Sequence, residues 1–349
     1  MRAYAETLVQ ALSEHAPEID ARLIELDPVS NRSSWRRRLH ALTLPLSARR
    51  HRRLAPDCWH VLDGSRAHLA SAFAGAPIAI TAHDIIPWLQ DRGRFPGVPR
   101  LSAPARWWWR GNADAMRRAD MVVCDSRQTQ QDLRAEFGVS SEQSSVVSLP
   151  VRPPMARRVA ATAFAAREPG VVVHIGNAGF YKNRAGALRV FSRLGDEVGR
   201  TLLMLGPAPS MQLRAEAASL GLAGRVQWVV DPDDDAVAAV YRRASALVFP
   251  SLYEGFGWPV LEAMAFGLPV VCSNAASLPE IAGDAARLFA PGDEEGMALA
   301  LRELLQSPEA WQRAADLCRV QAQRFDRKDF ARSMLVAYRT AIARRSRIR

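Results

Sequence analysis

Apolar positions in the second half of the chain fall into short solid runs, separated by longer stretches with the three-to-four spacing of amphipathic helices. Val171 to Ile175, Thr201 to Leu205, Val226 to Val230, Ala246 to Phe249 and Pro269 to Ser273 each read as a short apolar strand. Between them, Asn183 to Leu194, Gln212 to Leu220, Asp234 to Arg243 and Pro259 to Phe266 read as helices. Two long amphipathic helices follow, Asp293 to Gln306 and Pro308 to Phe325, and a basic helix closes the chain. Strands alternating with helices of this length imply βαβ units and a doubly wound parallel sheet.

The first half is less regular. His60 to Leu62, Pro77 to Thr81 and Met121 to Cys124 are expected strands, and Asn112 to Ala119 and Thr129 to Phe137 expected helices. Leu149 to Pro154 contains three prolines and reads as a hinge. Two α/β domains facing a central cleft are therefore expected, residues 1–152 joined by the closing helix 327–349, and residues 153–326.

The 349 residues are 48% hydrophobic and 23% charged, enough for a sizeable core and against wholesale disorder. The longest apolar stretch, Ala74 to Leu89, is broken by His83 and Asp84, so a spanning helix is not expected. The opening residues carry Glu6 and no apolar run, unlike a secretory signal. Cys58, Cys124, Cys272 and Cys318 lie far apart, a spacing that suits reduced thiols in the cytosol. The net charge is +10, and of 46 basic residues only Lys182 and Lys328 are lysines. From Pro28 to Pro56 there are eight arginines and no acid, interleaved with Trp35, Leu39, Leu42, Leu44 and Leu46. The segment Arg32–Arg53 is compatible with an anionic membrane surface, as is Arg106-Trp107-Trp108-Trp109-Arg110; solvated arginines over core tryptophans explain both equally well. No nucleic-acid-binding signature is present.

Chemistry concentrates in three places. Ser251 to Glu262 joins a strand to a helix, with Gly255 and Gly257 in the loop and Pro259 at the helix start. Glycines let the backbone approach a ligand, and free N–H groups at a helix start favour anions and hydroxyl oxygens. Glu254 and Glu262 suit sugar hydroxyls; alternatively Glu262 complements the helix dipole and Glu254 is solvated. Gly176 to Asn183 links another strand to a helix and carries Lys182, conspicuous in a chain with two lysines; Asn183 is the expected N-cap. Third, His83-Asp84 follows the strand ending at Thr81, where a hydrogen-bonded turn is the plain reading.

The Glu254-x7-Glu262 pair, continued through Ala263 to Val271 and Ser277 to Ile281, resembles the donor-site signature of retaining GT-B glycosyltransferases of the family 4 type, glycosyl transferases group 1. The resemblance implies a GT-B fold of two Rossmann-like domains. It also implies transfer of a hexose from a nucleotide-diphosphate sugar, GDP-mannose or a UDP-hexose, to a saccharide or lipid-linked acceptor in surface polysaccharide synthesis. Gly176, Asn177 and Lys182 would match the diphosphate loop, though an arginine common in the family before that lysine is absent, with Arg184 one substitute. Glu262 would bind ribose, Glu254 with Gly255, Phe256 and Gly257 would orient the sugar, and His83 would face it. No Asp-x-Asp motif stands in a strand-end loop, since Asp233 to Asp235 open a helix; neither metal nor cofactor is expected. The family's first strand and glycine-rich loop are missing, because Arg2 to Leu12 already reads as the first helix. A GT-B epimerase or phosphorylase, or an inactive binding subunit of a polysaccharide-assembly complex, are the alternatives. The expected location is cytoplasmic, peripheral on the inner membrane face.

Overall fold

A computed structural model describes residues 2–26, 44–160 and 167–348. They divide into two compact units, Met1–Leu149 with Arg327–Arg349, and Pro150–Asp326. Among the described residues no helix is long and apolar enough to cross a membrane.

The first unit is a four-stranded parallel sheet, β1 (Trp59–Val61), β2 (Ile78–Ala82), β3 (Met121–Cys124) and β4 (Ser144–Val146), in that spatial order. β2 and β3 are buried at every position, which is why their sequences are almost wholly apolar. Helix α1 (Arg2–His15) buries Tyr4, Leu8, Ala11 and Leu12, and the C-terminal helix Arg327–Ile348 buries Phe330, Met334 and Ala337. Helix α2 (Ala103–Arg118) starts nine residues before the expected Asn112; helix α3 (Arg127–Phe137) is capped by Ser126, whose hydroxyl accepts from Thr129 N–H. Asp63 precedes Gly64 in extended conformation. It caps the 3-10 helix Gly64–Phe73, accepting from Ser65 N–H at 2.8 Å.

The second unit is a six-stranded parallel sheet in the order β10-β9-β8-β5-β6-β7. These are β5 (Val171–Ile175), β6 (Thr201–Gly206), β7 (Val226–Val230), β8 (Ala246–Phe249), β9 (Val270–Ser273) and β10 (Arg287–Phe289). The chain moves outward from β5 through β6 to β7, then returns to the other side of β5 with β8, so the strand order reverses between β5 and β8.

The two units divide at Leu149 and Pro150, inside the expected hinge Leu149–Pro154. Pro153 and Pro154 open helix α4 (Pro153–Ala160), since a proline in the first helical turn loses no intrahelical hydrogen bond. Residues 150–152 also belong with the second unit, because the Trp258 indole donates to Pro150 O and Arg152 is bound there. The remaining labelled helices are α5 (Arg184–Ser192), α6 (Met211–Ser219), α7 (Asp234–Arg243), α8 (Trp258–Ala265), α9 (Glu294–Gln306) and α10 (Pro308–Ala322). Both units are thus the parallel α/β sheets that the alternating strands and helices led one to expect.

Candidate active site

In an open parallel sheet, ligands bind at the carboxyl ends of the strands where the strand order reverses. That reversal lies between β5 and β8, and the loops leaving these two strands are 176–183 and 250–257. They are tied together: Leu252 N–H donates to Tyr181 O at 2.7 Å and Asn183 Nδ2 to Pro250 O at 2.9 Å. Asn183 sits at φ 48° and caps α5 by accepting from Gly186 N–H. Gly206, at φ 138°, must be glycine, since a Cβ there would lie 2.1 Å from Gly176 O.

Across the junction, Lys182 Nζ donates to both carboxylate oxygens of Glu254 at 2.8 Å. Both side chains are nearly buried, so the pair is shielded from bulk water and Glu254 is not the solvated loop residue that position allowed. Gly176 lies directly beneath, since a Cβ on it would meet Lys182 Cβ at 3.1 Å. Asn177 is exposed and folds on its own loop, its Oδ1 accepting from Gly179 N–H and its Nδ2 donating to Tyr181 OH. Beneath the loop the buried His174 donates from Nδ1 to Val248 O; burial pulls its pKa down to about 3, so it is neutral.

The Gly255-Phe256-Gly257 turn is held by Ser277, whose Oγ reaches the carbonyls of Glu254 at 2.9 Å and Phe256 at 2.7 Å. Gly257 starts α8 at φ 109°. Trp258, not Pro259, is the first helical residue, which places Glu262 fifth, one turn inside rather than in the first turn. Glu262 is 2% exposed. It does not face Lys182. Its carboxylate pairs with Arg152, through Nε to Oε1 and through Nη2 to Oε2 at 3.2 Å, while Arg152 Nη1 donates to Asp234 Oδ1 at 2.9 Å. Burial raises the Glu262 pKa, and the Arg152 charge opposes that rise. Arg184, the suggested substitute cation, is buried, donates to Pro207 O at 3.0 Å and stands over the Trp228 ring.

His83 belongs to the first unit. Its Nδ1 donates to Asp125 Oδ2 at 2.6 Å and its Nε2 to Leu62 O at 3.0 Å. Burial alone would lower its pKa, but the Asp125 carboxylate overrides this and raises it to about 9. An imidazole donating from both nitrogens is a cation at neutral pH and cannot accept a proton. Close by, a chain of hydrogen bonds runs from Tyr4 OH to Thr81 Oγ1, on to His60 Nε2, and from His60 Nδ1 to Tyr338 OH, with steps of 2.8–2.9 Å. Burial and the neighbouring His83 push His60 down to about 3.

Lys182, Glu254, Gly176 and Gly255–Gly257 therefore converge, Glu262 stands apart with Arg152, and His83 forms its own centre. Arg152 and Asp125 are not among the residues expected from the sequence, and Asp234 is expected only as one of three acids opening a helix. Asp125 carried a signal, an acid directly after the apolar run Met121–Cys124, whereas nothing marks Arg152 among so many arginines.

Comparison with known proteins bears on this geometry. Residues 161–317 match the model of the glycosyl transferases group 1, and residues 5–153 that of Glycosyltransferase Family 4. The chain is 31% identical over 296 residues to the MMP alpha-(1->4)-mannosyltransferase of Mycolicibacterium hassiacum, covering 79% of this chain and 68% of that protein. It is 33% identical over 101 residues to the O-antigen chain mannosyltransferase of Salmonella typhimurium, 29% of each chain. Sucrose-phosphate synthase from Thermosynechococcus elongatus shares the fold, with a TM-score of 0.75 at 19% identity over 92% of this chain and 82% of that one.

Proposed function

The chain belongs to the glycosyl transferases group 1, and from that membership we propose that it moves a hexose from GDP-mannose or a UDP-hexose, with retention of configuration, to a saccharide or lipid-linked acceptor in surface polysaccharide synthesis. The observation that carries this reading is the buried Lys182–Glu254 pair at the strand-order reversal, between two glycine-bearing loops.

In this reading the remaining Lys182 N–H and the loop N–H groups receive the donor diphosphate, and Glu254 accepts from sugar hydroxyls. The acceptor oxygen bonds to the anomeric carbon from the leaving-group face. The bond from that carbon to the phosphate oxygen breaks, its electrons pass to the diphosphate, and the acceptor proton goes to a phosphate oxygen. Catalysis then rests on orientation and on stabilising the leaving charge, with no part given to a metal ion. His83 contributes a positive charge at neutral pH and no proton acceptance, because both ring N–H groups are already donated.

Peripheral membrane attachment, and with it a cytoplasmic location, belongs to the same proposal. Arg32 to Arg38 lie outside the described residues; of the rest, Arg49, Arg50, Arg52 and Arg53 are exposed beside exposed Leu46 and Leu54, and Trp107 of α2 is 70% exposed. Sedimentation with anionic against neutral vesicles tests this, and equal partition would remove it.

The decisive experiment is calorimetric titration with UDP, GDP and ADP, followed by donor turnover with and without acceptor. One nucleotide bound selectively, and turned over only with acceptor, supports the transferase. Binding with no turnover points to a binding subunit, and turnover without acceptor to an epimerase or phosphorylase.

A further inference from the structure

Glu262 presents a physical problem. A carboxylate 2% exposed tends to take up a proton, and a protonated acid loses the charge that makes it a strong acceptor for hydroxyls. The second unit answers with Arg152. This arginine stands in the connector before α4, its side chain 19% exposed, and its planar fork meets both oxygens of Glu262 at once. Its third contact, to Asp234 at the start of α7, fixes the guanidinium from the other side. An ionised carboxylate has about four acceptor positions. Arg152 takes two of them, one on each oxygen, which leaves one on each for a vicinal diol.

We propose that Arg152 is a positioning residue for the donor: it holds the Glu262 carboxylate ionised and oriented, so that the free acceptor position on each oxygen binds the nucleoside ribose. This rests on the donor-site reading above. Arg152 is not displaced by the ligand; it stays and works through Glu262.

The surroundings make the inference testable through pH. The groups facing Glu262 are Arg152 from the connector and Asp234 and the Tyr241 phenol from α7. Of the other elements around α8, α4 carries Arg157 and Arg158, the latter paired with Asp235; α10 sets Arg319 against Gly267, beyond the far end of α8; and the short helix Leu278–Ala282 carries Glu280. Arg152 is thus the cation bound to Glu262, and removing it leaves burial and Asp234 both acting to raise the Glu262 pKa.

Two measurements on the full chain decide the matter. The first needs no ligand: the Glu262 side-chain carbon is followed by NMR in protein labelled at glutamate, identified by its loss in Glu262→Gln, and titrated in wild type, Arg152→Ala and Arg152→Lys. Arg152→Ala should raise the midpoint by at least one pH unit, and Arg152→Lys should restore most of the difference. An unmoved midpoint overturns the proposal. The second is the ratio of variant to wild-type Kd for the bound nucleotide between pH 6 and 8, a ratio that cancels titration of the nucleotide itself. For Arg152→Ala it should grow at least fivefold as pH falls, and stay flat for Arg152→Lys. A flat ratio, or tighter binding by Arg152→Ala, means that Arg152 blocks the carboxylate and overturns the proposal. Should Arg152→Ala fail to fold, Arg152→Lys and Asp234→Asn still report. Lysine cannot engage both oxygens in the same plane, so it should cost affinity without changing the pH dependence, whereas Asp234→Asn should lower the Glu262 midpoint. Wild type that binds no nucleotide, with the Glu262 midpoint still dependent on Arg152, would remove the donor-site reading and keep the pair.

Discussion

The carboxyl ends of the two sheets carry charge in different ways. In the second unit each buried acid is given a permanent cation, Glu254 to Lys182 and Glu262 to Arg152. In the first, the buried Asp125 is set against His83, a group whose charge depends on pH. The contrast teaches that the second unit stays paired across the working range of pH. The first holds its pair only while His83 keeps its proton, and nearby His60 has been driven the other way, to neutrality.

The largest expected effect breaks one permanent pair. Lys182→Ala leaves Glu254 buried without its cation and should destabilise the second unit by about 3–5 kcal/mol in denaturant unfolding. Lys182→Met with Glu254→Met should recover most of that stability and none of the transfer. If the double variant stays as unstable as the single, the pair is not the source of the loss.

Next comes the pH-dependent pair. The His83 pKa, about 9 in the folded chain, exceeds the unfolded value of about 6.5, so its contribution is complete below pH 6.5 and disappears as pH rises through 9. The full effect is of the order of 3 kcal/mol, and Asp125→Asn should flatten the fall of Tm across that window. His60 acts in the opposite window: its folded value is depressed to about 3, so its contribution fades as pH falls below 6.5. An unchanged slope in Asp125→Asn would mean that the first unit does not depend on this ion pair.

Smaller still, Glu262→Ala should weaken nucleotide binding about 100-fold, near 2.7 kcal/mol, the scale of losing hydrogen bonds to a charged acceptor. Glu254→Gln should slow transfer roughly tenfold while leaving nucleotide Kd within about threefold, near 1.4 kcal/mol in the barrier. Equal losses of affinity in both variants would abolish the distinction between their roles.

The two units also differ in how legible they were. β5, β7, β8 and α7 have the limits expected from the sequence, and the inner strands β5 and β8 are apolar at nearly every position because the sheet is covered on both faces there. β4 and β10 went unread for the converse reason. Each is a three-residue edge strand pairing on one side, and their sequences, Ser144-Ser145-Val146 and Arg287-Leu288-Phe289, mix polar with apolar residues. At the site, Lys182 stood out because lysine is rare in this chain, and the two glutamates by their spacing. The Glu262 partner did not, since an ion pair 110 residues apart in sequence, as Arg152 and Glu262 are, leaves no local pattern.

The first unit is built from both ends of the chain, and that sets an order of events during synthesis. His60 leaves the ribosome 278 residues before Tyr338, its hydrogen-bond partner, and Asp120 precedes Arg345 by 225. At roughly 5–20 residues per second that interval is on the order of tens of seconds. Throughout it, the sheet face that Phe330, Met334 and Ala337 will cover has nothing from the C-terminal helix over it, while the residues of the second unit are made in full. The nascent chain therefore completes the unit it begins last before the one it begins first, and a translating ribosome carries an apolar surface available to chaperones.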